Sequence, residues 1–275
     1  MIILKGNDKS NGSCKGHCGD TFRELVDMWQ ERGYCEVKES PDTFCWANEH
    51  GTTLLYDFPR LDDRTIPSFQ FGLFGNSVPV QHPQCSSWIM WARSPRKLEE
   101  RIQQGIPSYS ERTTVSIFLG KVENGIQQAG RTAQDWEENI EEFNMPIRIG
   151  DATNTNYRYT QEEYLDKIAL SKFGVCLPGY GPKCNREIEY VGLGVVPIVV
   201  PGVDLTYYEP WTEGVHYLRI TRAEEIPEKI NSISENQWNE MSNECILWYN
   251  RNASPEGSYK TTERILKNEF NYRTV

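Results

Sequence analysis

Residues 171–204 read SKFGVCLPGYGPKCNREIEYVGLGVVPIVVPGVD. Phe173–Leu177 and Val195–Val200 are short, almost unbroken apolar runs rich in β-branched residues. That pattern predicts strands buried on both faces. Between them, Pro178-Gly179-Tyr180-Gly181-Pro182 makes a loop, and Arg186–Gly192 reads as the start of a helix. Strand, glycine loop, helix and strand form the repeating unit of a parallel sheet. In open parallel sheets ligands lie outside the carboxyl ends of the strands. Glycines let the backbone approach them, and a helix start offers free N–H groups to a phosphate. Lys183 and Arg186 are placed for such a diphosphate, in a loop and helix start that also hold Gly179, Tyr180 and Asn185. Glu189 follows Arg186 by one helical turn, in position to accept hydrogen bonds from sugar or ribose hydroxyls. The plain alternative is a tight turn beside a surface Arg–Glu pair.

The flanking sequence repeats the alternation. Thr113–Leu119 is a β-branched strand candidate, Ala133–Phe143 reads as an acidic helix with Trp136, Ile140 and Phe143 on one face, and Ile147–Ile149 as a short strand. Gln161–Leu170 reads as a helix with Tyr164, Leu165 and Ile168 inward, and Glu235–Tyr249 and Lys260–Phe270 as two late helices. Toward the amino end, Ile2–Leu4 predicts a buried strand followed by a glycine-rich loop, Gly6 to Gly19. Thr21 and Glu24 match a capping box, Phe22, Leu25, Val26 and Trp29 supply the apolar face, and Gly33 ends the helix. Cys35–Lys38, Thr43–Ala47 and Thr52–Asp57 are further strand candidates, Phe69–Phe74 and Ser87–Trp91 further apolar runs, and Pro95–Gln104 a helix. Gly, Pro and Ser cluster at residues 105–110, the best boundary between two halves.

The chain has 275 residues, 38% hydrophobic and 25% charged, which suits a globular α/β protein of one large or two small domains. A net charge of −10 argues against nucleic acid as the main partner, although one anionic ligand needs only a local cluster of cations. No segment approaches the ~18 apolar residues of a membrane span, and Met1–Leu4 is too short for a signal-peptide core. The eight cysteines, at 14, 18, 35, 45, 85, 176, 184 and 245, are therefore expected as free thiols of a soluble, cytoplasmic protein. Cys14, His17 and Cys18 lack a second cluster to complete a metal site, so no metal is expected.

The segment resembles the donor-binding half of exostosin-like glycosyltransferases. The matching residues are Ser171-Lys172-Phe173, Pro178-Gly179, Arg186 with Glu189, and Gly194 with Pro197-Ile198. Ser116–Lys121 and Arg131 match a second stretch upstream, so the likeness covers about residues 113–204. The family pattern is not found in the N-terminal half. In its compact form the chain is similar to glycosyltransferases of large algal DNA viruses. The resemblance implies a GT-B fold, with two Rossmann-like domains facing each other across a cleft. An acceptor domain would span residues 1–108 and a nucleotide-sugar domain residues 109–257, with residues 258–275 forming a helix that returns to the first domain. It implies transfer from a nucleoside diphosphate sugar to a hydroxyl of a glycan or glycoprotein. UDP-sugars are favoured, among them a pentose donor such as UDP-xylose. No cofactor and no metal are implied; Asp62-Asp63 is not an Asp-x-Asp motif. Lys121, Arg131, Lys183 and Arg186 would instead stabilise the leaving diphosphate.

An inverting reaction, the favoured stereochemistry, needs a general base. Asp57 ends the apolar run TTLLY, while His17 and Asp20 lie in the loop after the first strand. Each has a plainer reading, as a turn opener, a solvated loop residue or helix-start chemistry respectively. Two other functions stay open: a noncatalytic carbohydrate- or nucleotide-binding module, and a nucleotide-sugar epimerase of the same architecture.

Overall fold

The computed structural model describes residues 2–6, 17–39, 52–57, 68–71, 91–120, 131–144, 159–179, 183–205 and 207–269. Side chains are described for 24–36, 91–120, 131–143, 159–179, 183–205 and 207–264. Two sheets organise these residues. The second contains β5 (Thr114–Leu119), β6 (Glu142–Asn144), β7 (Ser171–Cys176), β8 (Val196–Val199) and β9 (Leu218–Arg219), in the order β6-β5-β7-β8-β9, and every pairing is parallel. It holds three strands foreseen from the apolar runs, β5, β7 and β8, and two that were not, β6 and β9. Side chains alternate between its faces as a strand requires. Ile117 and Leu119 enter one core cluster and Phe118 the other; Cys176 enters the first, and Phe173, Val175, Val196 and Ile198 the second. Both faces are thus covered, which is why the strands are almost wholly apolar.

The first sheet contains β1 (Ile2–Gly6), β2 (Cys35–Glu39), β3 (Thr52–Asp57) and β4 (Ser68–Phe71), in the order β2-β1-β3-β4. Between β1 and β2 lies α1 (His17–Glu31), and those two strands are parallel. β3 runs antiparallel to both β1 and β4, so this sheet is mixed, unlike the all-parallel sheet of the second half. The ten residues from 58 to 67 are too few for the helical crossover that a parallel β3–β4 pair would need.

Further helices among the described residues are α2 (Pro95–Gln103), α3 (Trp136–Asn139), α4 (Gln161–Ala169), α5 (Asn185–Gly192), α6 (Ile226–Asn231), α7 (Glu235–Asn252) and α8 (Pro255–Glu269). Two expectations need correction. α1 begins at His17, so Asp20 and Thr21 lie inside it and do not cap it; Gly33, at φ 70°, does end it as expected. The acidic helix at 133–143 is one short turn, because Phe143 belongs to edge strand β6, where its ring stacks on Phe118 at 5.3 Å. The strands expected at 43–47 and 147–149, and most of the apolar run at 87–91, lie outside the described residues; Trp91 itself is in no strand.

Elements from both halves share one core. Leu25, Val26 and Trp29 of α1 and Leu98 of α2 lie in the same buried cluster as Ile117, Tyr190 and Trp248. The C-terminal helix packs against α1. The Trp29 indole N–H donates to the Pro255 carbonyl (2.8 Å) and to the Ser258 hydroxyl (3.1 Å), and Tyr34 stacks on Tyr259 at 4.8 Å.

Candidate functional site

In the second sheet the chain runs from β5 outward to β6, then crosses back to add β7 on the other side of β5. The order reverses between β5 and β7. A parallel sheet opens a crevice at such a reversal, outside the carboxyl ends of the two strands. The residues placed there are cations. Arg186, in the first turn of α5, donates from Nε (3.2 Å) and Nη2 (3.1 Å) to the carbonyl of Leu119, the last residue of β5. Its guanidinium lies 4.3 Å from the centre of the Phe118 ring. Arg131 approaches the same ring at 5.3 Å and donates from Nε to the Pro178 carbonyl beyond β7 (2.8 Å). Lys183 lies 3.6 Å from Asp204 and 5.2 Å from the Tyr207 ring. Burial lowers the Lys183 pKa, against the pull of Asp204.

Space for Arg186 is made by Gly120. A β-carbon there would come within 2.9 Å of Phe118 Cζ and nearer still to Arg186 Nη2. Gly174 does the same for the helix as a whole: Tyr190 lies across it, and a β-carbon would meet the ring at 2.5 Å. The Tyr190 hydroxyl reaches the carbonyls of Ile117 (3.3 Å) and Val175 (3.4 Å), fastening α5 to both strands that flank the crevice.

Three helices bring their first turns together at this end. β7, α5 and β8 form a parallel crossover, so α5 starts beside the carboxyl end of β7. Glu189 joins the starts of α2 and α4 to it. Its carboxylate accepts from the Arg93 backbone N–H (3.0 Å), the Tyr164 hydroxyl (2.8 Å) and Gln161 Nε2 (3.5 Å). Asn185 donates to the Trp91 carbonyl at 2.7 Å. Glu24 of α1 accepts from the Ser94 hydroxyl (3.0 Å), the N-cap of α2. Helix starts carry a positive partial charge, which favours an anion.

Arg186 is 9% exposed, and its Nη1 has no hydrogen-bond partner. Beside it, Glu187 is fully buried; Oε2 accepts from the Cys184 backbone N–H, and Oε1 has no partner. Burial pushes the Glu187 pKa up to about 7, against the lowering influence of Arg186, of backbone N–H bonds from Cys184 and from Glu187 itself, and of Arg131. Glu189 is also raised by burial, opposed first by the Tyr164 hydrogen bond.

Of the residues expected at a donor site, Arg131, Gly179, Lys183, Asn185, Arg186 and Glu189 come together around this crevice; Lys121 and Tyr180 lie outside the described residues. Glu189 spends three of about four acceptor positions within the fold, so much of its work is to hold α2 and α4 on α5. Glu187 was missed, although its place three residues after the N-cap Cys184 was readable.

The three base candidates do not share one end of the first sheet. Asp57 pairs with Ile3, at the amino end of β1, because β3 is antiparallel. The crossover from β1 to β2 starts α1 at the carboxyl end of β1, where His17 and Asp20 lie. At ~1.5 Å per residue they are about 10 Å and 6 Å along the axis from Glu24, the residue bonded to Ser94. Among the described residues, no group of three or more His, Cys, Asp and Glu is arranged to hold a metal, and no helix is long and apolar enough to cross a membrane. No protein-family model matches the chain, and no curated protein matches it in sequence.

Proposed function

We propose that the chain is a glycosyltransferase whose nucleoside diphosphate sugar lies at the carboxyl ends of β5 and β7. One observation carries this reading: a buried guanidinium at a helix start, at the reversal of a parallel sheet, with a donor N–H unpaired. An unpaired buried donor costs on the order of 1–3 kcal/mol, more when charged. A diphosphate would pair it, and would meet the positive ends of several helices. Arg131, Lys183 and Arg186 would then stabilise the charge that develops on the leaving diphosphate, the role a metal plays elsewhere. A UDP-sugar is the favoured donor, a pentose such as UDP-xylose among them, and a glycan or glycoprotein hydroxyl the acceptor.

In this reading the architecture is of the GT-B kind. The half containing the mixed sheet presents the acceptor, α8 clasps α1, and the protein works in the cytoplasm. A base from the start of α1, His17 or Asp20, fits better than Asp57, since only the former pair lies at the carboxyl end of the parallel strands β1 and β2, where an open parallel sheet carries its ligands. The reaction is inverting: the base takes the acceptor proton as the hydroxyl attacks the anomeric carbon and the diphosphate leaves.

The test is transfer of radiolabelled sugar from a panel of UDP- and GDP-sugars to glycan acceptors. The wild type should transfer from at least one. Arg186→Ala should reduce turnover by about 10²–10³, with an unchanged circular dichroism spectrum. Binding without transfer would favour the noncatalytic module, and sugar interconversion without transfer the epimerase.

A further inference from the structure

Three buried polar atoms around the start of α5 have no partner: Arg186 Nη1, Glu187 Oε1 and the Tyr207 hydroxyl. Native interiors leave few such groups, and each calls for a bonding partner. Tyr207 belongs with the other two. Its ring lies 5.2 Å from Lys183 Nζ, and the charge of Glu187 acts on its hydroxyl after burial itself. A guanidinium only donates, a phenol can donate, and a carboxyl donates once it carries a proton. A phosphoryl oxygen accepts from all three. An ionised Glu187 would instead turn a bare carboxylate oxygen toward the phosphate.

We propose that Glu187 completes the anion site as its protonated acid, donating with Arg186 and Tyr207 to a phosphoryl group, so that binding of the nucleotide takes up a proton. This rests on the donor-site reading above. The balance is simple: one proton moves from solvent to the Glu187 carboxylate as the anion enters, and no bond of the nucleotide changes.

The surroundings fit a group poised between its two forms. Arg186 and Tyr190 face Glu187 from its own helix, Cys184 and Lys183 from the loop before it, Cys176 from β7, Arg131 from the segment after β5, and Tyr207 from the segment after β8. Burial moves the Cys176, Cys184 and Tyr207 protons up, out of the neutral range. Glu187 itself sits at about 7. An incoming anion raises it further, so the free site is largely ionised above that pH and the occupied site is not.

The experiment is isothermal titration calorimetry of the full chain with UDP-glucose, UDP-xylose and UDP. Titrations are run at about pH 6 and about pH 8 in buffers of different ionisation enthalpy, for the wild type and Glu187→Gln. The amide keeps an acceptor for the Cys184 N–H and offers a permanent donor. The wild type should bind about tenfold more weakly at the higher pH and take up close to one proton there. The variant should lose both effects and bind at the higher pH at least as well as the wild type does at the lower. Any pH dependence that persists in the variant belongs to Lys183 or to the terminal phosphate of UDP. Nucleotide binding with no proton uptake, or with the same uptake in Glu187→Gln, would overturn this inference and leave the donor site standing. No binding of any of the three to the wild type at either pH would overturn both.

Discussion

Gly120→Ala is the substitution that most directly probes how the crevice is built. A methyl group at this position meets Phe118 Cζ at 2.9 Å and Arg186 Nη2 more closely still. Ordinary contact needs ~3.5–4.0 Å, so the guanidinium must retreat by roughly 1 Å. Phe118 is fully buried and stacked on Phe143, so it has no room to take up the displacement. The retreat removes Arg186 from the Leu119 carbonyl, to which it makes two hydrogen bonds. Hydrogen bonds to a charged group are worth about 1.5–3 kcal/mol, and part of that loss is recovered as the side chain resettles. The backbone at Gly120 is not in the left-handed region, so strain adds nothing and the effect is one of contact. A net destabilisation of about 1–3 kcal/mol follows, which for a chain of this size lowers Tm by roughly 2–10 °C. Since Nη1 moves with the rest of the group, affinity for UDP should fall at least about tenfold, or 1.4 kcal/mol. Differential scanning calorimetry measures the first effect and UDP titration the second. A variant that melts and binds UDP like the wild type would refute the placement of Arg186 against the end of β5.

Gly174→Ala should be more damaging to the fold, since its β-carbon would meet the fully buried Tyr190 ring at 2.5 Å. Overpacking of this kind costs about 1–3 kcal/mol or more, read as a lower urea midpoint. Trp29→Phe removes the N–H that holds the Pro255 carbonyl and the Ser258 hydroxyl. It should cost about 1–2 kcal/mol and expose residues 255–264 to faster amide exchange. Glu187→Gln should stabilise the unliganded protein at high pH. With the folded pKa raised above the unfolded one, the native state holds the extra proton between about 4.5 and about 7, so stability falls as pH rises through that window. At ~1.36 kcal/mol per pH unit the penalty reaches about 3 kcal/mol above pH 7. The variant escapes it, and its melting advantage should vanish near pH 4.5.

The parts of the fold that could be read in advance were those in which each residue faced one kind of environment. β7 and β8 are apolar on both faces because both faces of the sheet are covered, and Gly194, at φ 64°, marks the end of α5 as a glycine there should. Arg186 and Lys183 could be placed because a loop and a helix start confine them to one end of the sheet. The direction of β3 was hidden, since alternation along a strand says nothing about its neighbour; the antiparallel register puts Asp57 beside Ile3. Residues 136–143 misled for a related reason. Trp136, Ile140 and Phe143 have helical spacing, yet Phe143 is spent on the Phe118 ring at the sheet edge. Thr21 and Glu24 formed a capping pattern inside a longer helix, where Glu24 instead accepts from Ser94 across the fold. Glu187 was overlooked because a glutamate in a first turn is ordinary helix chemistry. Only its complete burial and its unpaired oxygen set it apart.

In the proposed function a nucleoside diphosphate binds at Arg186 between the carboxyl ends of β5 and β7. Calorimetric titration of UDP and GDP into the wild type and Arg186→Ala, without added metal, tests it most directly. The wild type should bind at least one of them saturably and one to one, and a folded Arg186→Ala variant should bind it more weakly by a factor of about ten or more. Equal affinity in the two proteins, or no binding of either nucleotide to the wild type, would contradict it.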